Sequence, residues 1–307
     1  METVIQTHQL SKSFKGVETV SNVNMNVKKG EIYGFLGPNG AGKTTIMKMI
    51  LNLVKPTSGE IKIMNQSIST TSYQYLSKIG SIIEYPEFYE RLTAKENLEL
   101  HCEYIGVYEK GATEKALEIV GLNGVEHKKI NEFSLGMKQR LGIARAIVAK
   151  PEILILDEPI NGLDPIGIKD IRELLLLLKE EHGITILISS HIVSEIESIS
   201  DTIGILHHGR LLKEIKMEDI RKENMEYLEF KIDDVKNAIH VLENKLGIRK
   251  YEIVDLHCIR IFEHNISQSQ INKELILNDI VVNGIEKQQQ HLEEYFLNLI
   301  NGGNQYA

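Results

Sequence analysis

In Gly37-Pro38-Asn39-Gly40-Ala41-Gly42-Lys43-Thr44-Thr45, the first eight residues fit the pattern G-x-x-x-x-G-K-[ST]. The chemistry of that pattern is phosphate binding. Glycines let the backbone curl until its N–H groups converge on an anion. The helix that begins behind them adds a favourable dipole. Lys43 is placed to reach the β- and γ-phosphates of a nucleotide, and the Thr44 hydroxyl to ligate Mg2+. The setting agrees: Glu31–Leu36 reads as a short strand, and the apolar spacing of Ile46, Met49, Ile50 and Leu53 predicts a helix over Thr44–Leu53.

A second stretch, Ile153-Leu154-Ile155-Leu156-Asp157-Glu158-Pro159, supplies carboxylates. Four apolar residues in a row mark a strand buried on both faces. The carboxyl end of such a strand is where α/β sheets bind ligands. Asp157 is the candidate to hold Mg2+, directly or through a water. Glu158 then lies beside the γ-phosphate and can polarise an attacking water, a role that contributes about 100- to 10,000-fold. Taken alone, a strand ending in Asp-Glu is equally a surface turn; the phosphate loop upstream favours the catalytic reading.

The elements that must position these groups alternate between strand and helix. Pro56 and Gly59 break the chain before a strand at Ile61–Met64. Thr93-Ala-Lys-Glu96 is a capping box that starts a helix. Ala112–Val120 and Leu135–Ala149 read as helices stopped by Gly121 and Pro151. Ile184–Ile188 and Thr202–Leu206 read as further strands, with a turn at His207-His208-Gly209. The order implies an α/β fold with a mainly parallel core sheet over residues 1–216.

Composition shifts near Met217. A helix-like Met217–Glu226 leads into strands at Tyr227–Ile232, Tyr251–Val254, Cys258–Phe262 and Ile280–Ile285, and helices at Val235–Leu246, Ser267–Leu277 and His291–Leu299. This predicts a small C-terminal α+β module, residues 217–307, with helices on one face of a sheet and a frayed tail from Asn301. It carries no readable catalytic constellation.

Net charge is −8, which disfavours long-range attraction to nucleic acid. No apolar run approaches the ~18 residues of a membrane span; Leu174–Leu178 is flanked by charge. The start of the chain lacks the basic and apolar regions of a signal peptide. Cys102 and Cys258 have no metal-ligand spacing and read as unpaired thiols of a reducing compartment.

With these motifs in order, residues from about Val4 to Leu212 resemble the nucleotide-binding subunit of an ATP-binding cassette (ABC) transporter. The resemblance implies an ABC-type fold that binds ATP with Mg2+ and hydrolyses it. It implies that Phe14, in Leu10-Ser-Lys-Ser-Phe14, stacks on adenine. Phe133-Ser134-Leu135-Gly136-Met137 stands where family members usually carry L-S-G-G-Q; Ser134 and Gly136 match and the other three depart. The implied role is an anion site facing the γ-phosphate held by a second copy, in a head-to-tail dimer. Asp164, in Asn161-Gly162-Leu163-Asp164, matches the loop that crosses that interface. Ser190-His191 matches the switch histidine that contacts the γ-phosphate. The implied partners are this second copy and membrane-spanning permease subunits, with the chain cytoplasmic and peripheral on the inner face of the membrane.

Most family members have a glutamine beside the metal where Ile79-Gly-Ser-Ile-Ile83-Glu84 places a glutamate. Ionised glutamate only accepts hydrogen bonds, whereas glutamine also donates. Glu84, the signature variant and the C-terminal module together resemble the ATPases of peptide-antibiotic resistance transporters, of the bacitracin and lantibiotic self-immunity type. A general ABC-2-type exporter ATPase and, at greater distance, a soluble ABC ATPase acting on nucleic acid or ribosomes are the alternatives.

Overall fold

A computed structural model describes residues 2–68, 73–222, 226–263, 265–289 and 296. The chain divides into two compact units, Met1–Met217 and Glu218–Ala307.

The first unit opens with β1 (Thr3–Phe14) and β2 (Val17–Lys28), joined by Lys15 and Gly16 at φ of 48° and 85°. Two consecutive positive-φ residues make the tight turn that suits a twisted hairpin. There follow β3 (Ile32–Leu36), α1 (Lys43–Ile50), β4 (Ser58–Ile63), β5 (Gln66–Ser67), β6 (Ile79–Ile82), α2 (Ala94–Ile105), α3 (Ala112–Ile119), α4 (Leu135–Ile147) and β7 (Ile153–Leu156). The unit continues through α5 (Pro165–Glu180), β8 (Thr185–Ser190), α6 (Val193–Ile199), β9 (Thr202–His207) and β10 (Arg210–Lys216); α7 (Met217–Lys222) spans the unit boundary in sequence.

Among the described residues, one sheet runs β10-β9-β3-β8-β7-β6. All its pairings are parallel except that of β10. Strands β3, β7 and β8 are buried along their whole length, as expected of a parallel sheet covered on both faces. A second sheet, β2-β1-β4-β5, is antiparallel. Residues of both sheets share one apolar core with Ile46, Met47, Met49 and Ile50 of α1. The helix that opens with the phosphate loop thus turns one apolar side into the core.

The parallel register decides where the chemistry lies. Leu36 pairs with Ser190, and Leu156 with Ile188, so the carboxyl ends of β3, β8 and β7 come out side by side. Elsewhere the local signals act as the sequence suggests. The Thr93 hydroxyl accepts from Glu96 N at 3.1 Å and the Glu96 carboxylate accepts from Thr93 N at 2.7 Å, which starts α2. The leucine run at 174–178 lies on α5, where Ile171, Leu174, Leu175 and Leu178 form one buried stripe. No helix among the described residues is long and apolar enough to cross a membrane.

The second unit contains β11 (Glu226–Ile232), α8 (Val235–Lys245), β12 (Tyr251–Asp255), β13 (Cys258–Ile261), α9 (Gln268–Leu277) and β14 (Val282–Gln289). Its sheet, β12-β13-β11-β14, is antiparallel throughout. Phe230, Ile232, Ile259 and Ile261 pack with Val241, Leu242, Ile271 and Leu275 of the two helices. The alternate positions carry charge: Arg260 pairs with Glu229 at 3.0 Å and Lys231 with Glu286 at 2.9 Å. The last strand starts two residues later than its apolar pattern suggests. Ile280 N donates to Leu275 O and Val281 N to Asp233 Oδ1, so both residues belong to the connection out of α9. The expected helix at His291–Leu299 and the tail from Asn301 lie outside the described residues, save Phe296. Cys102 and Cys258 are free and buried.

Candidate active site

The loop after β3 turns back under Gly37, where a β-carbon would sit 2.3 Å from Leu206 O. Only glycine permits that approach. Gly40 and Gly42 have φ of 81° and 101°, and Gly42 caps α1 in the left-handed conformation. Pro38, Asn39 and Gly40 are exposed, while Ala41, Gly42 and Lys43 are buried; Thr44 and Thr45 are half-buried. A strand–loop–helix with a solvent-facing crest and a buried lysine at its root is the setting the motif requires.

Four of the sequence-predicted groups meet Lys43 at the carboxyl edge of the parallel sheet. Lys43 Nζ donates to Gly37 O at 2.6 Å and lies 3.0 Å from Glu158 Oε1. The Thr44 hydroxyl donates to Asp157 Oδ2 at 2.7 Å. His191 Nδ1 lies 2.8 Å from Glu158 Oε2. Both oxygens of Glu158 are thus engaged, one by the lysine and one by the histidine. Glu158 holds a φ of 48°, a conformation uncommon for a residue with a side chain.

Ser189 escaped the sequence reading because it lies inside a strand that appeared to end at Ile188. It is fully buried, its hydroxyl donates to Asp157 Oδ1 at 2.6 Å, and it accepts from Glu158 N at 2.9 Å. The only signal was a polar pair, Ser189-Ser190, between an apolar run and His191. Ser190 orders the following turn: it accepts from Ile192 N at 3.0 Å and donates to Glu195 Oε2 at 2.9 Å. Burial pushes the Glu195 carboxyl above its ordinary range, and the Ser190 hydroxyl pulls it back in part.

Among the described residues, Phe14, Glu84, Ser134, Gly136 and Asp164 share no hydrogen bond or ion pair with that cluster. Phe14 is 45% exposed, with Lys12 Nζ 4.8 Å from its ring centroid. The Ser134 hydroxyl caps α4 by accepting from Met137 N at 3.3 Å, and Asp164 caps α5 by accepting from Gly167 N at 3.0 Å. These two helix starts are neighbours. A β-carbon at Gly162 would lie 3.4 Å from Leu135, and one at Gly136 would lie 3.9 Å from Leu163. They form one exposed face with Leu135 and Ile166.

Glu84, expected beside the metal with Thr44 and Asp157, pairs in this structure with Lys48 Nζ of α1 at 2.7 Å. That hydrogen bond holds its carboxyl below the ordinary range. The reason is local: a lysine one turn beyond Thr44 offers an exposed carboxylate a cation, which a glutamine would not attract. Of the three expected Mg2+ ligands, Thr44 and Asp157 touch each other and offer hard oxygens, the class that suits Mg2+.

The family profile described as "ABC transporter" matches residues 20–161. A second, described as "AAA domain, putative AbiEii toxin, Type IV TA system", matches residues 129–197. An uncharacterized ABC transporter ATP-binding protein of Bacillus subtilis, YcbN, is 55% identical over 99% of both chains. The chain belongs to the ATP-binding proteins of ABC transporters. The bacitracin transport ATP-binding protein BcrA of Bacillus licheniformis is 48% identical over 99% of both chains. The lantibiotic transport ATP-binding protein SrtF of Streptococcus pyogenes is 44% identical over 73% of this chain and 95% of its own. Among solved structures, an ATP-binding subunit of an ABC transporter superimposes with a TM-score of 0.63 at 32% identity, over 72% of this chain and 93% of its own. A dimeric ATP-binding cassette in a post-hydrolysis state bound to ADP and Pi gives 0.62 at 29%, over 69% and 98%. This ABC protein is accordingly an ATPase subunit of a transporter, and the cluster around Lys43 lies at the carboxyl edge of its parallel sheet.

Proposed function

We propose that this chain drives a transporter that expels bacitracin or a closely similar peptide antibiotic. One observation carries the choice. The resemblance to bacitracin transport proteins runs through the second unit, with 99% of both chains aligned, whereas the lantibiotic protein aligns with only 73% of this chain while using 95% of itself. The lantibiotic relative therefore has too little sequence left to match a second unit.

In this reading the backbone of Gly37–Thr45 and the Lys43 ammonium hold the triphosphate of ATP, and Phe14 stacks on the base. Mg2+ would be held by the Thr44 hydroxyl and the Asp157 carboxylate, and would neutralise charge on the β- and γ-phosphate oxygens. Glu158 accepts the proton of the attacking water. His191 fixes the Glu158 carboxylate through the 2.8 Å contact and turns with it toward the γ-phosphate. Phosphate and Glu158 compete for Lys43, so nucleotide binding frees the Glu158 oxygen that the lysine holds.

Two copies close head to tail, and the Ser134–Gly136 helix start and Asp164 of one face the nucleotide held by the other. ATP is a ligand of the closed state, and its hydrolysis shifts the population back to the open one. The permease binds from the membrane side, with the chain on its cytoplasmic face. Glu84 and the exposed Tyr85 and Tyr89 serve that contact.

The test is co-expression with the permease genes of a bacitracin transporter in a bacitracin-sensitive host. The minimal inhibitory concentration should rise several-fold for bacitracin and less for a lantibiotic, and Glu158→Gln should abolish the rise. Protection from a lantibiotic alone, or from neither, would overturn the substrate assignment.

A further inference from the structure

The reading above gives Asp157 and Glu158 separate tasks but leaves open what fixes two adjacent carboxylates so that they point differently. Backbone preference does not: Glu158 sits at φ 48°, which disfavours any side-chain-bearing residue. A neighbouring strand must hold it there.

We infer that Ser189 is a positioning residue for hydrolysis, holding the Asp157 carboxylate and the Glu158 backbone through one buried hydroxyl. It touches neither set of reacting atoms and acts through its two neighbours, on whose assigned roles this inference rests. The hydroxyl donates to Asp157 Oδ1 at 2.6 Å and accepts from Glu158 N at 2.9 Å. A hydroxyl can do both at once; a methyl can do neither, and an amide cannot do so from one atom.

Its placement is rigid. Ser189 is fully buried near the end of β8, between β3 and β7 in the parallel ladder, where it pairs with Phe35. The Thr44 hydroxyl occupies the other Asp157 oxygen at 2.7 Å. Asp157 is therefore gripped from both sides, by the phosphate-loop helix and by β8. The grip on Glu158 N sets the turn at which the chain leaves β7, and with it the direction in which the Glu158 carboxylate meets His191. Partners that orient catalytic ligands from behind typically matter by about 10- to 100-fold when removed.

The experiment uses the purified full-length chain and compares Ser189→Ala, Ser189→Thr and Ser189→Cys with the wild type. Steady-state ATP hydrolysis, binding of a fluorescent ATP analogue with and without magnesium, and thermal midpoint are measured on each. Ser189→Ala should lower kcat about 10- to 100-fold. Magnesium-free nucleotide affinity should stay within about 3-fold, because Lys43 and the loop are untouched. The half-activating magnesium concentration should rise. Ser189→Thr, which keeps the hydroxyl, should recover most of the rate. Should Ser189→Ala fail to fold, Ser189→Cys keeps the volume with a poor hydrogen-bonding group and should show the same loss.

Hydrolysis within about 2-fold of wild type in both Ser189→Ala and Ser189→Cys overturns the inference. So does an unrescued Ser189→Thr of wild-type thermal midpoint. Asp157→Ala and Glu158→Gln are run alongside: if they hydrolyse ATP normally, the site reading itself fails, whereas inactive controls beside an active Ser189→Ala sink only the role given to Ser189.

Discussion

The two faces of this cassette that would meet across a nucleotide are built in opposite ways. Around Lys43 every functional group is tied to a group far away in sequence: Thr44 to Asp157, Lys43 to Glu158, Glu158 to His191. Around Ser134 and Asp164 the contacts are helix caps reaching three residues along the chain, on a face that exposes Leu135 and Ile166. The first face is organised by its own fold. The second leaves Leu135 and Ile166 in the open, and in the proposed head-to-tail dimer it would meet the other chain. Substitutions on the first face should act in the isolated protein, and those on the second should act through assembly.

The largest expected effect belongs to Glu158→Gln. It removes the acceptor for the water proton but keeps the shape of the side chain. Turnover should fall about 100- to 10,000-fold while ATP still binds, and a dimer should accumulate on size exclusion with ATP and magnesium. A variant that turns over normally, or that stays monomeric at saturating ATP, would break the contrast at its strong end. Lys43→Ala comes next. Truncating one member of a buried, hydrogen-bonded charge pair costs about 2–5 kcal/mol, so ATP affinity by calorimetry should drop roughly 30-fold or more.

Ser134→Ala separates the two faces most directly. Loss of the cap should lower stability by about 1 kcal/mol, and ATP affinity of the monomer should hardly change. Dimerisation in the Glu158→Gln background should weaken several-fold, and wild-type hydrolysis should become more dependent on protein concentration. An equal loss of monomer affinity would show that Ser134 acts within its own chain.

The same contrast explains how much could be read from sequence. Short-range features are legible: the phosphate loop, the Thr93–Glu96 capping box, and the four-residue apolar strand before Asp157 each announce themselves in consecutive residues. What depends on the sheet does not. Ser189 is unremarkable until β8 sets it beside β7. β2 carries its Val23-Met25-Val27 alternation among three asparagines, which strands disfavour. Pro165 and Gly167 hide the start of α5, although Asp164 caps it and proline suits a first helical position. Glu84 stands at a motif position, but its contact with Lys48 depends on the approach of α1, which no motif encodes.

Glu84 lies between the two cases, tied over a long range yet by an exposed pair, and should show the smallest effect. Exposed ion pairs contribute little and are screened by salt. In purified protein Glu84→Gln should change ATP hydrolysis by less than about 3-fold, while antibiotic protection by the assembled transporter changes more. Unchanged values in both assays would remove Glu84 from any functional role. Its pH dependence has a definite sign. The Lys48 hydrogen bond lowers the carboxyl from its ordinary value of 4.5, so the folded protein keeps the charge where the unfolded chain has begun to take up a proton. The contribution of the pair is complete above pH 4.5 and is lost as pH falls through the depressed value. Denaturation midpoints of wild type and Glu84→Gln should differ by a constant small amount at neutral pH and converge on acidification below 4.5. A gap that widens there would mean that the carboxylate destabilises the fold, and that Lys48 is held by something other than attraction to Glu84.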